Sequence, residues 1–139
     1  MLISTKGRYA TRMLLDIAMH QGNGYVPMKD VALRQQISKK YMETFTAHLS
    51  SAGILGIKRG KDGGYRLTRA PEGYTIGSIL KLTEGSLAPI SCAEFGSGSP
   101  DGCAMAGSCI TLPMWQHLDE IVDSYLEHIT LADLLAGNV

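Results

Sequence analysis

Between Thr5 and Gln21 the apolar side chains return at steps of three and four. Tyr9, Met13, Leu14, Ile17 and Ala18 fall on one helical face with Arg8 and Arg12 beside it, and Gly-Asn-Gly at 22–24 supplies the stop. A shorter helix is expected over Met28–Gln35, with Val31, Ala32 and Leu33 making its apolar contacts. Ser38 is a good N-cap for a third helix, in which Tyr41, Met42, Phe45, Leu49 and Ala52 recur at helical spacing before Gly53 closes it. Two helices joined by so short a turn predict a helix-turn-helix.

The pattern then changes. Residues 54–60 and 64–68 predict two short strands around the loop Lys-Arg-Gly-Lys-Asp-Gly-Gly, a hairpin that Pro71 brings to an end. Ile76, Ile79, Leu80 and Leu82 then mark a fourth helix. A hairpin placed directly after a helix-turn-helix is the winged-helix order. From Gly85 to Ser108 the chain turns to Gly, Ser, Ala and Pro, and a structureless connection of this length inside a small protein is usually functional or disordered. Thr111 and Pro113 fit the N-cap and an early position of a long helix. Its stripe of Trp115, Leu118, Val122, Tyr125 and Ile129 suits a partner helix, although such stripes are more often core. Thr130 with Asp133 reads as a capping box opening a last helical turn. The expected fold is mainly α with a small β-hairpin: a winged helix-turn-helix over 1–84, a Cys-containing loop over 85–111, and a dimerisation helix with a C-terminal cap over 112–139. The dimer is favoured because a domain of this size cannot otherwise cover a separate long helix.

Charge sharpens this picture. The 139 residues carry no formal net charge, yet residues 1–69 hold twelve of the thirteen Lys and Arg against four acids, while the remainder holds Lys81 against nine acids. The halves therefore stand at +8 and −8, an asymmetry that points to a polyanionic partner at one end. No apolar run approaches the roughly 20 residues that cross a bilayer, and the N-terminus is too charged for a secretory signal, so a cytoplasmic protein with no membrane partner is expected. No nucleotide loop, Ser-His-Asp set or paired-carboxylate signature is present, so no enzyme is expected.

The candidate chemistry lies in two places. The residues opening the second helix of a helix-turn-helix face base edges in the major groove. Here these are Ser38, Lys39, Lys40, Tyr41 and Glu43. The lysines suit phosphate or guanine, Tyr41 suits stacking or the core, and Glu43 suits cytosine N4 while repelling other edges. In the hairpin, Lys58, Arg59, Gly60 and Lys61 form a thin cationic tip able to lie along a phosphate backbone or to place Arg59 in a minor groove. Second, Cys92, Cys103 and Cys109 are an odd number of cysteines, separated by ten and five residues, which disfavours a disulfide framework. Spacing alone leaves inert thiols and a metal site both open.

The segments "STKGRYATRMLLDIA", "YMETFTAHLSSAGIL", "KRGKDGGYRL" and "ITLADLLA" together resemble the Rrf-two family of bacterial winged-helix regulators, especially its iron-sulfur (IscR-like) branch. The resemblance covers essentially the whole chain. It implies a homodimer held by long C-terminal helices, binding a dyad-symmetric double-stranded DNA operator as a repressor of iron-sulfur cluster biogenesis genes. It also implies that Cys92, Cys103 and Cys109 hold an iron-sulfur cluster, with a 2Fe-2S form expected. The chain departs from that pattern at the fourth ligand, where the expected histidine is Leu112. Arg8 and Arg12 stand where some relatives offer a ligand from the partner's first helix. His117, Glu94 and Asp101 are the other donors near the cysteines, with a buried helical role as good a reading for His117 as ligation. Sensing of nitric oxide or thiol oxidation by the same cysteines is the related alternative, and a metal-carrying interaction protein is the more distant one.

Overall fold

The computed structural model describes residues 2–91 and 103–139; Cys92, Glu94 and Asp101 lie outside them. Among the described residues six helices and one antiparallel hairpin form, as the sequence pattern predicts. The order is α1 (Thr5–His20), α2 (Met28–Gln35), α3 (Lys39–Ser51), β1 (Leu55–Lys58), β2 (Gly64–Leu67), a 3-10 turn (Pro71–Gly73), α4 (Ile76–Glu84), α5 (Leu112–His128) and α6 (Leu131–Ala136).

Local chemistry explains most of the boundaries. The side chains of Ser4, Ser38 and Thr75 each accept a hydrogen bond from a backbone N–H in the first turn of α1, α3 and α4, removing one of the orphan donors there. Thr130 and Asp133 close the expected capping box on α6. Thr111 departs from expectation. It occupies the N-cap position of α5 in a helical backbone conformation and makes no side-chain cap.

One core runs through the helices and the hairpin. Met13, Leu14 and Ile17 of α1, Met42, Phe45 and Leu49 of α3, Ile79 of α4 and Leu131 of α6 are all buried in it. Burying each such side chain is worth about 1.5–3 kcal/mol before entropy is set against it. Leu33, expected to make apolar contact from α2, is instead 80% exposed. The step from Val31 to Leu33 turns the side chain about 200° around so short a helix, so only one of them can face α1.

The hairpin is tied to the helices at both ends. Val26 and Tyr65 exchange backbone hydrogen bonds of 2.7 and 2.8 Å, adding a one-residue third strand beside β2. A Cβ at Gly64 would run into the Val26 carbonyl, so only glycine lets the strand lie this close. At the other end, the buried Tyr74 hydroxyl donates to the Ile54 carbonyl at 2.8 Å and accepts from the Thr68 N–H at 2.9 Å. The C-terminal segment returns to the same region. Ile76 N–H donates to the Ile129 carbonyl and Leu131 N–H to the Tyr74 carbonyl. Lys81 of α4 pairs with Asp123 and Glu127 of α5 at 2.5 and 2.8 Å.

Candidate nucleic-acid interface

The helix-turn-helix is set by a buried carboxylate. Asp16 on α1 is fully buried, and Arg34 of α2 grips it through Nη2 to Oδ1 at 2.7 Å and Nε to Oδ2 at 3.0 Å, while the Gln35 amide donates to Oδ2 at 2.9 Å. Burial alone pushes the Asp16 carboxyl upward. The hydrogen bonds from Arg34 and Gln35, with the charges of Arg34 and His20, outweigh burial and hold it below the usual carboxylate range. Arg12 reaches the side-chain and backbone oxygens of the same Gln35. Thus α2 is locked to α1, and α3, one turn further on, inherits its direction.

On α3, Lys39, Lys40 and Glu43 are exposed, and Thr44, Ala47 and His48 continue the same open face. Ser38 is exposed at the helix start, its hydroxyl already accepting from Tyr41 N–H at 3.1 Å. Tyr41 is placed differently from its neighbours. It is half-buried, edge-packed on Tyr9 and Phe45 with ring centroids 5.7 and 6.1 Å apart, so its ring serves as an aromatic brace between α1 and α3. Glu43 is close enough to the hairpin to act on Tyr65. Burial raises that phenol first, a hydrogen bond from Thr46 lowers it, and the Glu43 charge raises it further.

On the wing, Lys58, Arg59, Gly60 and Lys61 are all exposed, and Gly60 takes φ +106°, a backbone region open to glycine. Two further residues belong to this surface and carried no signal in the sequence. The ring of Tyr25 lies 5.8 Å from both Lys58 Nζ and Arg66 Cζ, gathering two wing cations around one aromatic ring. Lys29, at the start of α2, shares a cleft with Lys39, Lys58 and Lys61, so α2, α3 and the wing each bring at least one lysine to the same cleft.

The cysteines are described in part. Cys103 is an exposed free thiol that accepts from Met105 N–H at 3.4 Å, and Cys109 is a half-buried free thiol 3.2 Å from the Thr111 hydroxyl. That contact accounts for the missing cap, since the Thr111 hydroxyl faces sulfur. Hydrogen bonding to the Thr111 side chain, then to the Thr111 and Leu112 backbone, holds the Cys109 thiol below its ordinary value and so favours the thiolate. Among the described residues no group of three or more Cys, His, Asp or Glu side chains converges on one point. Leu112 is buried, Arg8 is bonded to Ser4 and Thr5, and His117 lies beside Glu120, exposed rather than buried in the core of its own chain.

On α5 the expected stripe divides. Ile129 packs against the chain's own core, Trp115 and Val122 are half-buried, and Leu118 and Tyr125 open outward. The exposed apolar face is completed by Met114 and Ile121, which with Leu118 and Tyr125 recur at steps of four, three and four. Glu127 and Asp123, tied to Lys81, fix which face of α5 is turned inward.

A helix-turn-helix followed by a cationic wing, with a helix C-terminal to both, defines a winged-helix transcriptional regulator. The match to known families agrees: the Rrf2 family, described as iron-dependent transcriptional regulators, covers residues 3–137, and the chain belongs to it. The chain is 33% identical over 138 residues to the HTH-type transcriptional regulator IscR of Aliivibrio salmonicida, covering 99% of this chain and 79% of that protein. Among solved structures, T. potens IscR is 32% identical with a TM-score of 0.77, covering all of this chain and 89% of that one. CymR, the global cysteine regulator of B. subtilis, is 28% identical with a TM-score of 0.72, covering 98% of this chain and 97% of that one. No helix among the described residues is long and apolar enough to cross a membrane.

Proposed function

We propose that this regulator works in the cytoplasm as a homodimeric repressor of a dyad-symmetric DNA operator, with genes of iron-sulfur cluster biogenesis as its targets. The observation that carries the reading is the cationic cleft shared by α3 and the wing. Ser38, Lys39, Lys40 and Glu43 enter the major groove, with Tyr41 bracing the helix behind them. Lys58, Arg59, Gly60 and Lys61 meet the adjacent backbone or minor groove. The dimer forms through the outward face of α5, with Leu118 and Tyr125 at its centre. Trp115 and Val122 flank them, and Ile129 joins the seam to the core of its own chain.

Cys92, Cys103 and Cys109 are the residues that would hold an iron-sulfur cluster. The thiolate-favouring surroundings of Cys109 and the free Cys103 fit that donor set. The bound cluster, 2Fe-2S in this reading, supplies an oxidant-labile bridge among the thiolates. This chain's own part is to deliver the thiolates from the segment joining α4 to α5, so that holding them together biases the angle of the dimer helix. Anaerobic purification tests the proposal: iron and sulfide in stoichiometric amounts with visible absorbance support it, and a colourless dimer that still binds duplex DNA refutes the cluster while leaving the repressor.

A second reading is direct thiol sensing by the same cysteines, which the lowered Cys109 thiol and the likeness to CymR favour. It predicts that oxidation of cluster-free protein changes DNA affinity.

A further inference from the structure

Between the wing and the start of α2 lies an open cleft of about 320 Å³. Four lysines from three elements line it: Lys29 of α2, Lys39 of α3, and Lys58 and Lys61 of the wing. No acidic side chain lines it, and none of the four lysines forms an ion pair among the described residues. The remaining lining is apolar, with Met28 and Ile57 prominent, and the buried Tyr65 hydroxyl closes against Met28 Sδ at 3.6 Å. The walls are held in place. The paired hydrogen bonds between Val26 and Tyr65, and the Gly64 contact with the Val26 carbonyl, fix the wing against the residue preceding Pro27.

Four lysines bordering one cleft with no acidic side chain among its lining make it a favourable seat for an anion. An apolar floor beneath a cationic rim matches a sugar ring carrying a phosphate, and the volume is ample for one such unit. We infer that this cleft seats one deoxyribose-phosphate of the operator backbone, at the crossing from the major groove read by α3 to the minor groove approached by the wing, with Lys29 as a contact of its own. The inference rests on the DNA-binding reading and adds a position to it. The seat reads no sequence. It sets the register of α3 against the wing, because one phosphate is held by both.

The same chemistry could come from a free nucleotide, and the test separates the two. With the full chain and a duplex selected by the wild type, Lys29→Ala should weaken binding about tenfold at 0.1 M salt and reduce the slope of log affinity against log salt by about one, equally for all sequences. Replacing single phosphates by neutral methylphosphonates should then find one position per half-site that costs the wild type at least a similar factor and costs Lys29→Ala clearly less than it costs the wild type. A free deoxynucleoside monophosphate should leave both proteins' duplex affinity unchanged. An unchanged salt slope for Lys29→Ala, or methylphosphonate losses that simply add to it at every position, would overturn the seat while leaving DNA binding intact. Strong competition by the free nucleotide, abolished in Lys29→Ala, would assign the cleft to a small molecule. A wild type that binds no duplex at any salt would overturn both the seat and the DNA-binding reading.

Discussion

Arg34 holds the buried Asp16 carboxylate through two donors, Nη2 at 2.7 Å and Nε at 3.0 Å, and so fastens α2 to α1. The rest of the DNA-binding surface depends on that contact, because α3 follows α2 after only three residues, Gln36 to Ser38. Asp16→Asn keeps the shape and removes the charge, weakening hydrogen bonds from Arg34 and Gln35, and should lower stability by on the order of 2 kcal/mol at neutral pH. The Asp16 carboxyl is held below its unfolded value near 4. Its contribution is therefore fully present above about pH 4 and is lost as pH falls through the lower folded value. Urea titrations of the two proteins between pH 7 and pH 3 check this: the difference should be constant above pH 5 and shrink toward the acid end. A difference that grows on acidification would assign the effect to another group.

Gly64 tests the attachment of the wing. Gly64→Ala forces a methyl group against the Val26 carbonyl and should cost on the order of 1–3 kcal/mol, with the hairpin displaced from Val26. Amide exchange at Val26 and Tyr65, whose N–H groups pair with each other's carbonyls, should accelerate more than exchange in α1.

The outward face of α5 should be the dimer seam. Leu118→Asp with Ile121→Asp places charges on exposed apolar positions that make no core contact in the chain itself. Sedimentation should give a folded monomer with weakened operator binding. An unchanged dimer would move the interface elsewhere.

The cysteines should be dispensable for folding. Cys103 is exposed and Cys109 half-buried, and the core runs through other residues. Replacing Cys92, Cys103 and Cys109 together by Ala should leave thermal unfolding nearly unchanged while removing visible absorbance and any cluster-dependent change in operator preference. Thr111→Val should leave the helix intact, since Thr111 makes no cap, and should raise the Cys109 thiol by removing its largest lowering contact. Thiol alkylation measured against pH reads that rise directly.

Much of this was legible in the sequence because local rules decide it. The bounds of α2, the caps at Ser38 and Thr130 and the winged order all follow from periodicity and from short-range hydrogen bonding. What periodicity cannot see is which of two neighbouring faces a partner element covers. Leu33 and the α5 stripe show this: the Lys81 pairs with Asp123 and Glu127 turn α5 so that Ile129 faces the core and Ile121 opens outward. The Asp16 lock, the Tyr25 platform and Lys29 were also invisible. Each depends on partners 18 to 41 residues away in the chain, or on a cleft formed only when α2, α3 and the wing come together. Thr111 misled for a related reason, because a hydroxyl able to cap a helix is equally able to face a sulfur.

The central claim, that α3 and the wing form one DNA-reading surface, is tested most directly by selecting bound duplexes from a random-sequence library with the wild type, Glu43→Ala and Arg59→Ala at two salt concentrations. The wild type should enrich a dyad-symmetric site with half-sites about one helical turn, roughly 34 Å, apart or at a multiple of it. Glu43→Ala should broaden the bases accepted at one position of each half-site, because a repulsive carboxylate is gone. Arg59→Ala should keep the sequence preference, bind more weakly and flatten the salt dependence. Enrichment of no duplex sequence by the wild type, with affinity that does not change with salt, would contradict the account.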